Sequence, residues 1–158
     1  VSGGADKFLS FINHELVPYV DQTYTTDTTK RVLMGHSLGG YFTMYALQQS
    51  LSGKENKVHH YIAASPSLHY NNYYLLHQFK SNTVAQHANT KVYLTYGGLE
   101  DSNDTTSLTL NNLSSQLAAA LPKQANGLTY KCDIYSNLDH MDTQLPTFIK
   151  GLQWVFAQ

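Results

Sequence analysis

The chain has 158 residues, which is enough for one domain with its own hydrophobic core. Hydrophobic residues make up 42% of it, and ten basic residues nearly balance eleven acidic ones, giving a formal net charge of −1. No apolar run approaches the roughly 20 residues of a membrane-spanning helix, and no basic run indicates binding to nucleic acid or to an anionic membrane. The single cysteine, Cys132, excludes an internal disulfide and a cysteine-based metal cluster.

The first third of the chain contains a helical pattern, a short apolar run and a second helical pattern. Apolar side chains recur at spacings of three and four over residues 5–20, which predicts a helix. Pro18 is expected to kink or end this helix, because its ring crowds the carbonyl four residues earlier. The apolar run at 32–34 predicts a strand, and the second helical pattern starts at Leu38.

Strand and helix patterns continue to alternate in the rest of the chain. They predict, in order, strands at 61–65 and 91–96, a helix over 110–121 that Pro122 ends, a strand at 130–135 and a helix over 148–156. The first three strands are apolar at consecutive positions, which is typical of interior parallel strands, whereas the last alternates like a half-covered edge strand. The sequence therefore predicts a single α/β domain over residues 1–158, with a mainly parallel sheet of about four strands flanked by helices.

The segment GHSLGG places glycines two residues before and two residues after Ser37, between a predicted strand and a predicted helix. This spacing is typical of the nucleophile elbow, a strained turn that holds the serine hydroxyl clear of the sheet. Gly35 and Gly39 are expected to leave room for the neighbouring strand and helix, and Gly40 to allow closer packing. The following N–H groups, led by that of Leu38, are expected to receive an oxyanion. A serine-capped helix start has the same sequence, but the flanking elements favour a nucleophile.

A serine hydroxyl needs a general base, and the chain offers eight histidines. His140 lies in a polar loop between the last strand and the last helix, where this topology supplies the base in the chain order Ser, acid, His. His36 is expected to point away from the hydroxyl by strand alternation and to be structural. The others lie on a helix, before a strand or in polar segments without metal-binding spacing: His14, His59, His60, His69, His77 and His87.

The third residue of such a site is a carboxylate that holds the tautomer and orientation of the imidazole. The segment GGLEDSND, directly after the third predicted strand, offers Glu100, Asp101 and Asp104. Glu100 is preferred because it lies nearest to the strand end, with Asp101 as the alternative and Asp104 third. If these acids only form a solvated loop, a Ser–His pair would act alone and more slowly.

Five segments in order resemble the putative esterase family of α/β-hydrolases: GADKFLSFINHELVPYVDQTY, GHSLGGYFTMYAL, AASPSLHYNN, YLTYGGLED and LDHMDTQLP. The resemblance extends to enzymes that cleave siderophore trilactones, feruloyl esters and S-formylglutathione, and to mycolyl transferases. It covers nearly the whole chain and implies Ser37 as nucleophile, Glu100 as acid and His140 as base, in agreement with the residue patterns.

The chain departs from this family after the segment SPSL, where many relatives have a tryptophan and this chain has His69 and Tyr70. The residue at that place often faces the substrate, so His69 and Tyr70 are candidate substrate-binding residues, and His36 is retained as a third. Tyr73 and Tyr74 are further candidates to line the pocket, although packing beside the core is the commoner role of such a cluster.

The second departure is length. Members of the family normally have four strands before the elbow strand, so the resemblance implies the carboxyl-terminal half of the fold, with its N-terminal strands missing. The loop that supplies a second oxyanion donor is then absent too, and the strand at 32–34 is expected to expose an edge. About one helix fits between residues 65 and 91, so no lid domain is predicted.

These observations predict a serine hydrolase that cleaves a small-molecule or polymer-attached carboxylic ester and needs neither metal nor organic cofactor. The alternatives are an acyltransferase of the same family, a non-catalytic scaffold remnant and, less favoured, a serine peptidase. The sequence does not identify the oligomeric state or the compartment. Its low charge and the sequons at Asn103 and Asn112 are compatible with a periplasmic or secreted protein.

Overall fold

The computed structural model of the protein describes residues 3–81, 89–103, 108–124 and 127–157. Strands and helices alternate along these residues. The strands are β1 (Val32–His36), β2 (His60–Ala64), β3 (Thr90–Gly97) and β4 (Leu128–Tyr135), and the α-helices are α1 (Ala5–Phe11), α2 (Val17–Thr23), α3 (Leu38–Leu51), α4 (Tyr70–Ser81), α5 (Leu110–Gln124) and α6 (Gln144–Phe156). The predicted α/β architecture is confirmed.

All four strands are parallel and lie in the order β1-β2-β3-β4. The central strands β2 and β3 are almost fully buried, as their apolar runs predict, and β4 alternates between more and less exposed residues, as expected at an edge. The apolar run of β1 is typical of an interior strand, but β1 has the open edge expected of a chain that resembles the carboxyl-terminal part of the fold. No described strand pairs with its outer side, and Met34 is 40% exposed.

Helices cover both faces of the sheet. The larger core lies between one face and helices α3, α4 and α5, and it includes Met44, Leu47, Phe79 and Leu117, none more than 1% exposed. The opposite face packs against α6, whose Val155 contacts Ile62 and Tyr93 in a smaller core. None of the described helices combines the length and the hydropathy that crossing a bilayer demands.

Two prolines do not end their helices where the sequence predicts. Helical structure continues past Pro18 to Thr23, because a π-helical segment (Ile12–Leu16) precedes it and widens the turn that the ring would otherwise crowd. Helix α5 continues past Pro122 to Gln124. A proline this near the end of a helix removes few hydrogen bonds, so it does not stop the last turn.

Candidate active site

Ser37 lies at a sharp turn between β1 and α3. Its backbone angles, φ 57° and ψ −119°, lie outside the regions that residues with a Cβ normally adopt. Two hydrogen bonds fix the turn: the N–H of Ser37 donates to the Ala64 carbonyl at 3.0 Å, and the N–H of Tyr41 donates to the Ser37 carbonyl at 2.9 Å. Such strain costs about 1–3 kcal/mol and concentrates at functional sites. The predicted strained turn is confirmed.

Only two of the three glycines around this serine are needed for space. A Cβ added to Gly35 would lie 2.1 Å from the Gly39 carbonyl oxygen, and one added to Gly40 would lie 3.0 Å from the Ala64 carbonyl oxygen. A Cβ on Gly39 would meet no described atom within 4 Å. The expectation that Gly39 makes room is therefore wrong among the described residues, because a Cβ there would point into open space, and it is Gly40 that lets α3 approach β2 closely.

Three side chains form a line of hydrogen bonds at the carboxyl edge of the sheet. The Nε2 of His140 lies 3.0 Å from the Oγ of Ser37, and its Nδ1 lies 2.8 Å from the Oε2 of Glu100. Because a carboxylate only accepts, Nδ1 carries the hydrogen of a neutral imidazole and Nε2 can accept the serine proton. The Glu100 side chain is 14% exposed and that of His140 is 35% exposed. The structure thus brings together the three predicted residues in the predicted order.

The other carboxylate oxygen of Glu100, Oε1, accepts two further hydrogen bonds. The hydroxyl of Ser65 donates to it at 2.6 Å, and the backbone N–H of Gly97 also donates at 2.6 Å. Ser65 directly follows β2 and has a φ of 39°. No sequence motif singles out this serine. Its position directly after β2 could have indicated that it lies near Glu100, because the carboxyl ends of adjacent parallel strands meet at the same edge of a sheet.

The loop that carries His140 is held from two sides. The N–H of His140 donates to the Oδ1 of Asp139 at 2.6 Å. Asp139 and Asp142 also form a capping box, in which the backbone N–H of each donates to the side chain of the other; the N–H of Asp139 lies 3.3 Å from the Oδ2 of Asp142. From β1, the Nε2 of His36 donates to the His140 carbonyl at 2.8 Å, with the two rings 4.8 Å apart. This contact agrees with a structural role for His36, and substrate binding by it stays a prediction.

Thr143 adds a second hydroxyl behind the acid. Its Oγ1 lies 2.7 Å from the Oγ of Ser65 and 3.0 Å from the His140 carbonyl oxygen. The Thr143 hydroxyl donates to the His140 carbonyl, which also accepts from His36, since a carbonyl oxygen has two lone pairs. Thr143 therefore connects the loop of His140 with the serine that donates to Glu100.

Three further histidines make their hydrogen bonds away from the turn at Ser37. His59 and His60 each accept a backbone N–H at the amino ends of the strands, the opposite edge of the sheet. His14 lies on the π-helical segment and contacts Ser10. Among the described residues, no group of three or more His, Cys, Asp or Glu is arranged to hold a metal ion.

Glu100 is the acid of this loop whose side chain the structure describes. Asp104 and His87 lie outside the described residues, and the side chain of Asp101 lies outside the described side chains. Glu100 therefore remains the preferred acid because of its contact with His140.

The candidate oxyanion donor, Leu38, is the first residue of α3. Its N–H belongs to the first turn, where backbone donors have no acceptor within the helix. This position directly after Ser37 is the one that the sequence predicts, and oxyanion binding there stays a prediction.

A cavity of about 220 Å³ adjoins the hydrogen-bonded line. His69 and Tyr73, two of the candidate substrate-binding or pocket-lining residues, line it. Tyr70 and Tyr74 are not among the described lining residues. The Tyr70 ring instead contacts Tyr41 edge-on at 5.4 Å between ring centroids.

Comparison with known proteins shows that the chain is similar to esterases. The family model described as putative esterase matches residues 2–154. The ferri-bacillibactin esterase BesA of Bacillus subtilis (strain 168) is 36% identical over 101 residues, or 62% of this chain and 34% of that protein. The BES protein from Bacillus cereus matches with a TM-score of 0.73 and 26% identity over 98% of this chain and 56% of that chain. The siderophore hydrolase EstA from Aspergillus nidulans matches with a TM-score of 0.73 and 24% identity over 97% and 58%.

Proposed function

The chain belongs to the putative esterase family, and from this premise we propose that it is part of a serine hydrolase that cleaves carboxylic esters. The observation that carries the proposal is the line of hydrogen bonds from Ser37 through His140 to Glu100, which starts on a strained turn. The chain spans about half the length of the solved relatives described above, which fits the carboxyl-terminal part of their fold. A single domain without a lid is part of the proposal.

In the first step, the Oγ of Ser37 attacks the carbonyl carbon of the ester while its proton passes to the Nε2 of His140. The imidazolium that forms carries a positive charge beside the carboxylate of Glu100, which is held by Ser65 and Gly97. The carboxylate stabilises this charge and keeps Nδ1 protonated, so that the ring stays oriented toward the serine.

The negative charge that develops on the carbonyl oxygen needs donors near Ser37. The N–H of Leu38 at the start of α3 supplies one of them. In the second step, His140 returns its proton to the departing alcohol oxygen, and the acyl group remains on Ser37. Water, deprotonated by His140, then attacks the acyl carbon and releases the acid.

The substrate class is the second part of the proposal. The relatives are named as a ferri-bacillibactin esterase and a siderophore hydrolase, so the ester bonds of a siderophore are the first natural substrate to test. A phenyl or nitrophenyl ester serves as a general substrate beside it, because the chain departs at His69 and Tyr70 from the pattern of the family that it resembles.

Reaction with a fluorophosphonate tests the proposal most directly. The intact mass of the protein is measured before and after exposure, on this chain, on the full-length protein and on a Ser37→Ala control of each. One adduct that disappears in Ser37→Ala indicates an activated serine. Absence of an adduct in the full-length protein would support a non-catalytic scaffold instead, and product analysis with an added alcohol would separate a hydrolase from an acyltransferase.

A further inference from the structure

A second serine lies next to the candidate nucleophile. The Oγ of Ser67 is 3.3 Å from the Oγ of Ser37, and Ser67 is 8% exposed. Among the described residues this is the hydrogen bond that the Ser67 hydroxyl makes, and the line from Ser37 through His140 to Glu100 does not include it. The Ser67 hydroxyl therefore contacts the atom that would form the bond to the substrate.

The Ser67 hydroxyl is the donor in this contact. The Nδ1–H of His140 donates to Glu100, so the Nε2 of the neutral ring has no hydrogen and accepts that of Ser37 at 3.0 Å. Because a serine has one hydroxyl hydrogen, the Oγ of Ser37 can only accept from Ser67. The Oγ of Ser37 thus donates to the base on one side and accepts from Ser67 on the other.

Backbone contacts hold Ser67 in place without its side chain. Its N–H donates to the carbonyl of Ser37 at 3.1 Å, and its own carbonyl accepts the N–H of Tyr70 at 3.0 Å. The preceding residue, Pro66, packs closely on α3, since a Cβ added to Gly40 would lie 3.0 Å from the Cα of Pro66. Removing the Ser67 hydroxyl should therefore leave the backbone where it is, so that one substitution tests the contact.

The segment 65–67 contacts both ends of the hydrogen-bonded line. Ser65 donates to the Oε1 of Glu100 at 2.6 Å, and Ser67, two residues later, donates to the Oγ of Ser37. The acceptor of Ser65 is charged at all times, whereas the acceptor of Ser67 would become charged when it loses its proton. The turn after β2 therefore supports both the acid and the nucleophile.

Negative charge develops twice on the Oγ of Ser37 in the proposed reaction. It develops when the proton passes to His140 before the bond to the acyl carbon is complete, and again when that bond breaks as water releases the acid. A hydrogen bond to a charged oxygen is about twice as strong as one between neutral groups. The contact with Ser67 would thus stabilise these states more than the resting enzyme, which is the condition for a faster reaction. The hydrogen stays on Ser67 throughout.

We propose that Ser67 is a further catalytic residue, whose hydroxyl donates to the Oγ of Ser37 and stabilises the negative charge that develops there. The proposal rests on the proposed hydrolase function. It assigns Ser67 to the nucleophilic oxygen, whereas the N–H of Leu38 is assigned to the carbonyl oxygen of the ester. Ser67 should therefore affect the rate of bond formation at Ser37 and have little effect on the affinity for the ester.

The first experiment removes the hydroxyl in the full-length protein. Ser67→Ala should react with a fluorophosphonate about 5- to 20-fold more slowly, and its kcat for a nitrophenyl ester should fall to a similar degree with KM nearly unchanged. Ser50→Ala is the matched control, because Ser50 is also 8% exposed and lies at the far end of α3 from Ser37. It should keep the wild-type rate. The pH at which the labelling rate is half-maximal should not change in Ser67→Ala, since His140 determines it.

The second experiment tests the contact without ester hydrolysis. In Ser37→Cys a thiolate takes the place of the charged oxygen, and its pKa is measured from the pH dependence of alkylation by iodoacetamide, with the wild-type protein as the blank for Cys132. Adding Ser67→Ala should raise the pKa of this thiol by about 0.5 to 1, because a donor to the thiolate is lost. Adding Ser50→Ala should leave it unchanged.

The outcomes separate this proposal from the hydrolase proposal. No adduct on the wild-type protein would overturn both. An adduct on the wild type that forms equally fast in Ser67→Ala would overturn the role of Ser67 alone, and so would an equal loss of rate in Ser50→Ala. An unchanged thiol pKa after Ser67→Ala would also contradict the proposal, because the hydroxyl would then not donate to residue 37.

Discussion

The Oε2 of Glu100 lies 2.8 Å from the Nδ1 of His140, although 40 positions separate the two residues in the chain. The two residues meet because β3 and β4 are parallel and in register up to the pair Gly97 and Tyr135. The loops that follow both strands therefore leave the sheet at the same edge. The parallel pairing of β3 and β4 therefore brings an acid and a histidine from distant segments of the chain into contact.

The first prediction concerns the identity of the acid. In Glu100→Gln, one of the two carboxylate oxygens becomes an NH₂ group, which must then face the Ser65 hydroxyl, the Gly97 N–H or the His140 Nδ1–H. All three of these groups now donate to the carboxylate. The imidazole would be driven toward the wrong tautomer, and we expect kcat for a nitrophenyl ester to fall about 10³- to 10⁴-fold.

The matched control for the acid is Asp101→Asn, which changes the adjacent carboxylate in the same way. It should leave kcat within about twofold of wild type. If Asp101→Asn were the damaging change and Glu100→Gln the mild one, the assignment of the acid to Glu100 would be wrong. Circular dichroism and the unfolding midpoint of both variants show whether either loss reflects misfolding.

The second prediction tests Ser65 as a residue that positions the acid. Ser65→Gly removes the hydroxyl and tolerates the φ of 39°, whereas Ser65→Ala removes it and keeps the strain. A hydrogen bond to a charged group contributes about 1.5–3 kcal/mol, so both variants should react with a fluorophosphonate about 10- to 150-fold more slowly. The KM for a nitrophenyl ester should change little. Loss in Ser65→Ala alone would point to backbone strain rather than to the hydroxyl.

Much of the fold and of the candidate site can be predicted from the sequence, because short local patterns specify the strands, the turn at Ser37 and the loops that follow the strands. The apolar runs specify the four strands, and the glycine spacing around Ser37 specifies a strained turn after β1. The short segment between β3 and Glu100 limits the choice of acid, and the loop before α6 limits the choice of base. These are short-range features, and the four strands and the strained turn lie where they predict.

The contacts that the sequence does not reveal are long-range ones between polar residues of ordinary type. Ser65 and Thr143 are 78 residues apart, and their hydroxyls meet only because β2 and the loop before α6 share one edge of the sheet. The prediction that Gly39 makes room for its neighbours also fails because it depends on the three-dimensional arrangement. Its spacing suggests crowding, but whether a Cβ would collide depends on how α3 leaves the turn, which spacing alone does not determine.

The third prediction concerns stability at acidic pH. Burial lowers the pKa of His60, and His59 and Lys91 lower it further, while its Nδ1 accepts the Lys91 N–H at 3.1 Å. In the unfolded chain the histidine titrates near 6.5. Below that pH the unfolded state binds more protons than the folded state, so the free energy of unfolding falls as the pH drops.

His60→Gln should reduce this acid sensitivity, because it keeps an acceptor and cannot be protonated. The measurement is the urea midpoint at about pH 7.5 and at about pH 5.5, and the difference between the two should be smaller than in wild type. His77→Gln, at an exposed position on α4, provides the control and should retain the wild-type difference. An unchanged difference in His60→Gln would contradict the assigned cause.

The last prediction separates the two glycines that flank the nucleophile. In Gly35→Ala the new Cβ would lie 2.1 Å from the carbonyl oxygen of Gly39, which is backbone and cannot rotate away. We expect a loss of about 1–3 kcal/mol or more in the free energy of unfolding. In Gly39→Ala the Cβ meets no described atom within 4 Å, and alanine favours a helix over glycine by about 0.5–1 kcal/mol. Guanidinium unfolding should therefore show opposite signs for the two substitutions, and equal destabilisation by both would mean that Gly39 also needs its space.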